Sequence, residues 1–239
     1  MELISKIRPG LRTIWWNPTL VEDAIFDKNG IPFCPTILGS CPKQIVTWPQ
    51  AKSIYYQEIR NGNACFFSDA FVCFYIDDYK FDSKGGIWFS PDKAINILKH
   101  FRGIITPDFS TYSDFPKPLC LWNTYRMRAF GYYCGKKGLE VVNNVRGRTE
   151  DDFDYCFSGI ETNSVIAIGT VGSGLKLIEN REGFNCWIKE MVRILMPRTI
   201  LVYGSSKYPI FEELSKAGIE IVSYEGETDH RFKGESLHE

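Results

Sequence analysis

The chain has 239 residues, of which 44% are hydrophobic, 15% aromatic and 24% charged. This composition is typical of a globular protein and excludes a chain that is disordered over most of its length. The 28 Lys and Arg residues are balanced by 29 Asp and Glu residues, so the sequence lacks the basic excess of an extended nucleic-acid-binding surface and the acidic excess of a DNA mimic.

Several features of the sequence predict a cytoplasmic protein without membrane association. No apolar run approaches the roughly 20 residues that span a bilayer, and the first residues lack the apolar segment and cleavage site of a signal peptide. The eight cysteines are scattered and form no CxxC pair, so we expect free thiols, as in a reducing compartment. Only three histidines are present, which argues against a His-rich zinc site or a Ser-His-Asp triad.

The chain begins with an irregular region and a first β-α unit. Residues 1–40 are aromatic and proline-containing, and we expect them to wrap over the domain. A strand at 44–47 and a helix at 49–62 form the first unit, and an apolar strand at 71–76 follows. The run Ser-Pro-Asp at 90–92 is typical of a helix start, with Ser as N-cap, Pro in the first turn and Asp favoured by the helix dipole.

Strands and helices continue to alternate through the rest of the chain. Short β-branched or aromatic runs are separated by stretches with a helical apolar stripe. Thr149 and Asp152 have the spacing of a capping box, which predicts a short helix there. The further predicted strands are 103–106, 139–142, 164–168, 199–203 and 219–223, and the further predicted helices are 118–134, 184–195 and 209–217.

This alternation predicts a single α/β domain over residues 1–239. Strands joined by helices imply right-handed crossovers and a mostly parallel sheet. Seven strands come close to a (β/α) barrel, so the predicted fold is barrel-like, incomplete or distorted. An open doubly wound sheet is the alternative, because strand order is not written in one sequence. Residues 225–239 are polar, and we expect a flexible tail.

Polar residues follow the predicted strands at their carboxyl ends, where both architectures bind ligands. Asp78 follows the strand at 71–76, and Asp108 follows the strand at 103–106. Carboxylates in this position can hold a divalent cation or act as acid and base, so both are candidate catalytic residues and metal ligands. Tyr112 and Arg146 are candidate ligand contacts. The alternative is that the aspartates cap loops and helices, as Asp commonly does.

The predicted helix at 118–134 carries two further candidates. Asn123 and Arg126 lie three residues apart and share a helix face. A guanidinium can bind a carboxylate or phosphate as a fork, so Arg126 is a candidate catalytic residue and Asn123 a candidate ligand contact. The alternative role of Arg126 is a structural ion pair. In either role we expect Arg126 to pair with Asp78, Asp108 or Asp114.

A glycine-rich loop follows the predicted strand at 164–168. The run Gly169-Thr-Val-Gly-Ser-Gly174 could offer backbone N–H groups to a phosphate, with Thr170 as a ligand contact. It is not a Walker loop, since no Gly-Lys-Ser/Thr ends it, and it departs from the GxGxxG pattern. A plain flexible turn is the alternative interpretation.

Six stretches of the chain form a recognisable set. They are Asp77–Phe81 (DDYKF), Thr106–Tyr112 (TPDFSTY), Trp122–Ala129 (WNTYRMRA), Asn144–Arg146 (NVR), Phe153–Ile160 (FDYCFSGI) and Ile200–Gly204 (ILVYG). In this order they resemble the signature stretches of a family known only as a domain of unknown function, found in bacteria, their phages and other mobile elements. The resemblance covers about residues 70–225 and implies a phage or mobile-element setting, but it brings no activity or catalytic residue. One departure is Gly147, where the family pattern has Trp.

Two functions of different classes follow, and the sequence leaves open whether the protein is an enzyme. The first is a site for a small molecule, a nucleotide or nucleic-acid phosphate chemistry, with a divalent cation as cofactor. The second is a non-enzymatic phage-type protein that binds or inhibits a host defence or replication component. The aromatic N-terminal region, including Trp15, Trp16 and Trp48, would suit such an interface, and it would suit a lid over the core equally well. Loss of activity without loss of fold in Asp108→Ala would favour the first.

Overall fold

The computed structural model describes residues 15–175 and 177–226. These residues contain one curled, seven-stranded sheet with alternating helices. The strands are β1 (Ile45–Thr47), β2 (Ser68–Cys73), β3 (Phe101–Ile105), β4 (Glu140–Asn144), β5 (Val165–Gly169), β6 (Thr199–Tyr203) and β7 (Glu220–Tyr224). All neighbouring strands are parallel, and their spatial order follows the sequence from β1 to β7. The barrel-like prediction is confirmed as half a barrel. The doubly wound alternative is wrong, because that topology reverses its strand order.

Helices alternate with these strands, as the apolar pattern predicted. The α-helices are α1 (Trp48–Arg60), α2 (Pro91–Leu98), α3 (Lys117–Lys136), α4 (Ile178–Leu195) and α5 (Pro209–Lys216), and 3-10 helices lie at Pro18–Val21, Asp78–Lys80 and Glu150–Asp152. β2 begins three residues before its predicted start. Phe74 and Tyr75 are buried although the ladder has already ended, so the apolar run extends beyond the strand. The predicted capping box at Thr149 is wrong, because the Asp152 carboxylate is buried and binds Arg148 instead.

The two faces of the sheet are packed differently. Side chains such as Ile104, Val141 and Ile166 face the helices, which form the outer layer. Their neighbours, among them Phe71, Ile105, Val142, Ala167 and Leu201, form a separate apolar cluster on the other face. Leu38 and Cys41, from the segment before β1, pack against this second cluster. The segment before β1 therefore covers part of the inner face of the half barrel.

Part of the N-terminal region enters the sheet rather than lying over it. Ile37 exchanges two backbone hydrogen bonds with Val141 of β4, at 2.9 and 2.7 Å. On the other side, the Thr36 hydroxyl donates to the backbone oxygen of Val165 at the start of β5. β4 and β5 pair with each other only through Asn143 and Asn144 at the carboxyl end of β4, which lie opposite Ile166 and Ala167 of β5. The inserted segment thus pairs with β4 at Val141, where β4 does not pair with β5.

Other sequence expectations can be placed on this fold. All eight cysteines lie in the described ranges and are free, which confirms the expectation of free thiols. No helix in the described ranges is long and apolar enough to cross a membrane. The predicted tail at 225–239 lies outside the described residues beyond Gly226, as do the first 14 residues of the predicted irregular region.

Candidate functional site

A cavity of about 670 Å³ opens at the carboxyl ends of β2 to β5. Its size is within the range of about 300–1,000 Å³ that holds small molecules. Of the predicted site residues, Asp78, Asp108, Tyr112 and Arg146 line this cavity, whereas Asn123, Arg126 and Thr170 lie outside the lining. Lining residues that the sequence did not single out include Tyr75, Thr111, Asn180 and Trp187.

Asp108 holds Arg146 at the cavity wall. One Asp108 oxygen, Oδ2, accepts a hydrogen bond from Arg146 Nη1 at 2.7 Å, and the other accepts from Asn144 Nδ2 at 2.9 Å. Asn144 in turn accepts from the hydroxyl of the buried Tyr75 at 3.0 Å. The negative charge of Asp108 raises the pKa of Arg146. Arg146 is therefore a fixed cation, and its Nε and Nη2 groups donate to no acceptor within the described ranges.

Asp78 is the second carboxylate of the lining, and its surroundings are different. Its two oxygens accept hydrogen bonds from the backbone N–H of Ser110, at 3.1 Å, and from the Ser110 hydroxyl, at 2.9 Å. Burial raises the pKa of Asp78, and the charges of Asp108 and Asp82 add to this effect, while the Ser110 bonds oppose it. Asp78 is thus a carboxyl of this cavity whose protonated form is favoured by its surroundings.

Arg126 pairs with Asp82, so the expected pairing with Asp78, Asp108 or Asp114 is wrong. Its Nη1 donates to both Asp82 oxygens, at 2.8 and 2.7 Å. The 3-10 helix at Asp78–Lys80 turns the chain back and brings Asp82 to α3. The sequence signal was present, since Asp82 closely follows the strand-end aspartates, but distance along the chain could not show which carboxylate meets the guanidinium.

Arg126 and Asn123 nevertheless connect to the cavity through hydrogen bonds. Arg126 Nη2 donates to Asn123 Oδ1 at 2.7 Å, and Asn123 Nδ2 donates to the backbone oxygen of Ser110 at 2.5 Å. Ser110 then binds Asp78, as described above. The Arg126 guanidinium also lies over the Phe109 ring, 3.9 Å from its centre. These two residues therefore support the loop that carries Ser110 and stand one layer behind the cavity wall.

Two further arginines fix the loops around the cavity. Arg128 is completely buried and donates to the backbone oxygens of Asn144, Cys156 and Ser158, so it ties the end of β4 to the loop at 153–160. Burial lowers the pKa of Arg128 to about 10, which leaves it charged at neutral pH.

Arg148 binds the Asp152 carboxylate and the backbone oxygens of Tyr112 and Phe115. Burial alone would raise the pKa of Asp152, but the hydrogen bonds from Arg148 and Tyr155 outweigh burial and lower it. Asp152 therefore remains ionised and anchors the arginine that holds the loop with Tyr112.

The donor set of the cavity does not fit the predicted divalent cation. Within the described ranges, no group of three His, Cys, Asp or Glu side chains is arranged to hold a metal ion. The oxygens of Asp78 and Asp108 already accept hydrogen bonds from Ser110, Asn144 and Arg146.

Thr170 and Gly147 are placed by the structure in supporting positions. The Thr170 hydroxyl donates to the backbone oxygen of Ser205 at 3.0 Å and so holds the base of the glycine-rich loop. Gly147 lines the cavity beside Trp187 of α4, and a Cβ at this position would lie 3.4 Å from the indole. Trp187 was missed as a lining residue because its helical spacing indicated only a core position.

Comparisons with known proteins agree with the resemblance of the six stretches. The family profile of a domain of unknown function (DUF4417) matches residues 40–225. The Gene 1 protein of Mycobacterium phage L5 is 31% identical over 167 residues, which cover 70% of this chain and 68% of that protein. The Gene 1 protein of Mycobacterium phage D29 is 29% identical over 167 residues, covering 70% of this chain and 57% of that protein. No solved structure matches the chain.

Proposed function

This chain belongs to the DUF4417 family of domains of unknown function, and we propose that its cavity binds a small organic anion. The single observation that carries this proposal is the arrangement of Arg146. Asp108 holds this guanidinium at the cavity wall through one nitrogen, and two nitrogens keep unused donors within the described ranges. A side chain fixed in this way binds an anion without losing further rotamer freedom.

The rest of the lining supports a polar ligand with an organic part. Tyr75, Tyr112 and Trp187 supply aromatic surface, and Asp78 supplies a carboxyl whose pKa is raised by burial. A ligand with an anionic group and a ring or sugar, as in a nucleotide, would use both kinds of surface. In this proposal, Arg146 binds the anion and Asp78 exchanges a proton with the bound ligand. Asp108, Asn123 and Arg126 position these two groups.

Ligand-induced stabilisation of the full chain tests this function. Nucleoside monophosphates and sugar phosphates would be added singly to the wild type, Arg146→Gln and Arg193→Gln. Arg193 lies on α4 and is 69% exposed, so its variant is a matched control that removes an arginine outside the cavity. A ligand at about 100 times its Kd stabilises by about 2.7 kcal/mol, or roughly 5–10 °C in Tm for a chain of this size.

We expect at least one ligand to raise the Tm of the wild type and of Arg193→Gln, and to leave the Tm of Arg146→Gln nearly unchanged. A panel without any saturable shift, or a shift that survives in Arg146→Gln, would contradict the proposal.

A host-protein partner is the second candidate, because apolar side chains are exposed at the strand-end side of the molecule. Tyr79, directly after Asp78, is 72% exposed, and Ile178, at the start of α4, is 74% exposed. Exposed aromatic and aliphatic side chains are frequent anchors of protein interfaces. Replacing Tyr79 and Ile178 by Ser should abolish host binding but leave small-ligand binding intact if this candidate is correct. Loss of small-ligand binding in the same variant would argue against it.

A further inference from the structure

We infer that the loop at 170–175 is the seat of a phosphate group, so that the ligand is a phosphate ester rather than a carboxylate. The inference rests on the proposed function and makes its ligand class specific. The loop lies between β5 and α4, and its residues from Val171 to Leu175 line the same cavity as Arg146.

Three backbone carbonyl groups of this loop, those of Thr170, Gly174 and Leu175, accept hydrogen bonds from within the protein. The oxygen of Thr170 accepts from the Ser173 hydroxyl at 2.6 Å. The oxygen of Gly174 accepts from the backbone N–H of Leu177 and from Asn180 Nδ2, both at 3.0 Å. The oxygen of Leu175 accepts from Arg181 Nε at 2.8 Å. These three carbonyl oxygens are therefore already paired within the protein.

Most backbone N–H groups of this loop, in contrast, have no hydrogen-bond partner in the described part of the chain. From Val171 to Leu175, five consecutive backbone N–H groups donate to no acceptor within the described ranges. Gly172 and Gly174 have φ of +71° and +67°, so φ alternates in sign along the loop. Such alternation is typical of the backbone concavities that bind anions. α4 begins at Ile178, and the positive end of its dipole adds to the potential there.

An independent side chain points to a ligand in this cavity. Thr111, which follows Ser110, is 5% exposed and lines the cavity, and its hydroxyl has no hydrogen-bond partner in the described part of the chain. A buried hydroxyl without a hydrogen-bond partner is unfavourable unless a bound group satisfies it. The two unused nitrogens of Arg146 and the loop N–H groups belong to one cavity lining, and they outnumber the two oxygens of a carboxylate. The several oxygens of a phosphate match this number of donors better.

The test compares two substitutions of Gly172 that have nearly the same shape but differ in charge. A Cβ at Gly172 would meet nothing within 4 Å, so a short side chain fits there. After glycine, Asn and Asp are the residues that best tolerate positive φ, and they have nearly the same shape. Gly172→Asp therefore adds a negative charge at the seat, whereas Gly172→Asn adds the same backbone strain without the charge.

The probes are inorganic phosphate and ribose 5-phosphate, followed by 31P NMR, with succinate as a dicarboxylate probe followed by its 1H resonances. We expect saturable binding of both phosphate probes to the wild type and to Gly172→Asn, and binding at least about tenfold weaker to Gly172→Asp. Succinate should bind more weakly than ribose 5-phosphate to the wild type. Equal affinity of ribose 5-phosphate for the Asp and Asn variants would overturn the inference.

Arg146→Gln separates a failure of this inference from a failure of the proposed function. If anion binding depends on Arg146 but is the same in Gly172→Asp and Gly172→Asn, the cavity binds an anion and the loop is not its seat. If the binding of every probe is the same in the wild type and in Arg146→Gln, the proposed function and the inference fail together. If succinate binds as tightly as ribose 5-phosphate, the assignment of the ligand to phosphate esters is wrong.

Discussion

The effects of replacing Arg126 and Asp82 on the free energy of unfolding should be strongly coupled, because the two side chains form an ion pair. The two side chains are only 9% and 17% exposed, and one guanidinium nitrogen contacts both carboxylate oxygens. Breaking a buried pair costs about 3–5 kcal/mol because the remaining charge stays buried, whereas an exposed pair contributes less than about 1 kcal/mol. Arg126→Ala also removes the bond to Asn123 and the packing on Phe109.

We therefore expect Arg126→Ala to lower the free energy of unfolding by about 4 kcal/mol and Asp82→Ala by about 3 kcal/mol. The double variant should lose about 4–5 kcal/mol, because the second change no longer leaves a buried charge without its partner. The coupling energy is then about 2–3 kcal/mol. Urea denaturation of the four proteins at pH 7, followed by circular dichroism, measures all of these values.

Two further double-mutant cycles serve as controls for this result. Lys216 and Glu212 form a pair on α5 with side chains 74% and 72% exposed, and their coupling should stay below about 0.5 kcal/mol. Arg126 and Asp108 should show almost no coupling, because Asp108 binds Arg146 instead. Small, additive losses for Arg126→Ala and Asp82→Ala, or strong coupling of Arg126 to Asp108, would refute the network described here.

The other predictions concern acid stability, a buried cation and the thiols. Asp152→Asn should lose about 2 kcal/mol at pH 7, and the loss should shrink in urea melts as the pH falls below 3.8, because the lowered pKa of Asp152 stabilises the fold only while this carboxylate is ionised. Arg128→Met should lose about 3 kcal/mol in the same assay, since three backbone oxygens lose their donor; a loss below about 1 kcal/mol would contradict this role. A thiol reagent should modify the exposed Cys65 and Cys186 first in the native protein and all eight cysteines after unreduced denaturation, and a lower final count would contradict free thiols.

The order of strands and helices could be predicted because its signals are local. The apolar run of β6 and the Pro-initiated helix α5 stand in the sequence almost at their observed limits. The predicted strand limits failed where residues are buried without pairing in the sheet. Phe74 and Tyr75, for example, are buried but lie beyond the end of β2. The insertion of Ile37 between β4 and β5 was equally invisible, because one isolated bridge leaves no periodic pattern.

The candidate site was predictable in its location but not in its contacts. Asp78, Asp108, Tyr112 and Arg146 reach one cavity because the carboxyl ends of neighbouring parallel strands meet at one edge. This rule needs only the position of each residue after its strand, which the sequence contains.

The partners of these charges were decided by the tertiary structure alone. Arg126 pairs with Asp82 because a 3-10 helix turns the chain after Asp78. Asp108 pairs with Arg146 instead. The sequence thus determined the alternating fold and the edge at which the polar residues gather, since both follow from local periodicity and parallel connections. Which carboxylate pairs with which cation depends on distances of a few ångströms between residues far apart in the chain, and only the folded packing sets those distances.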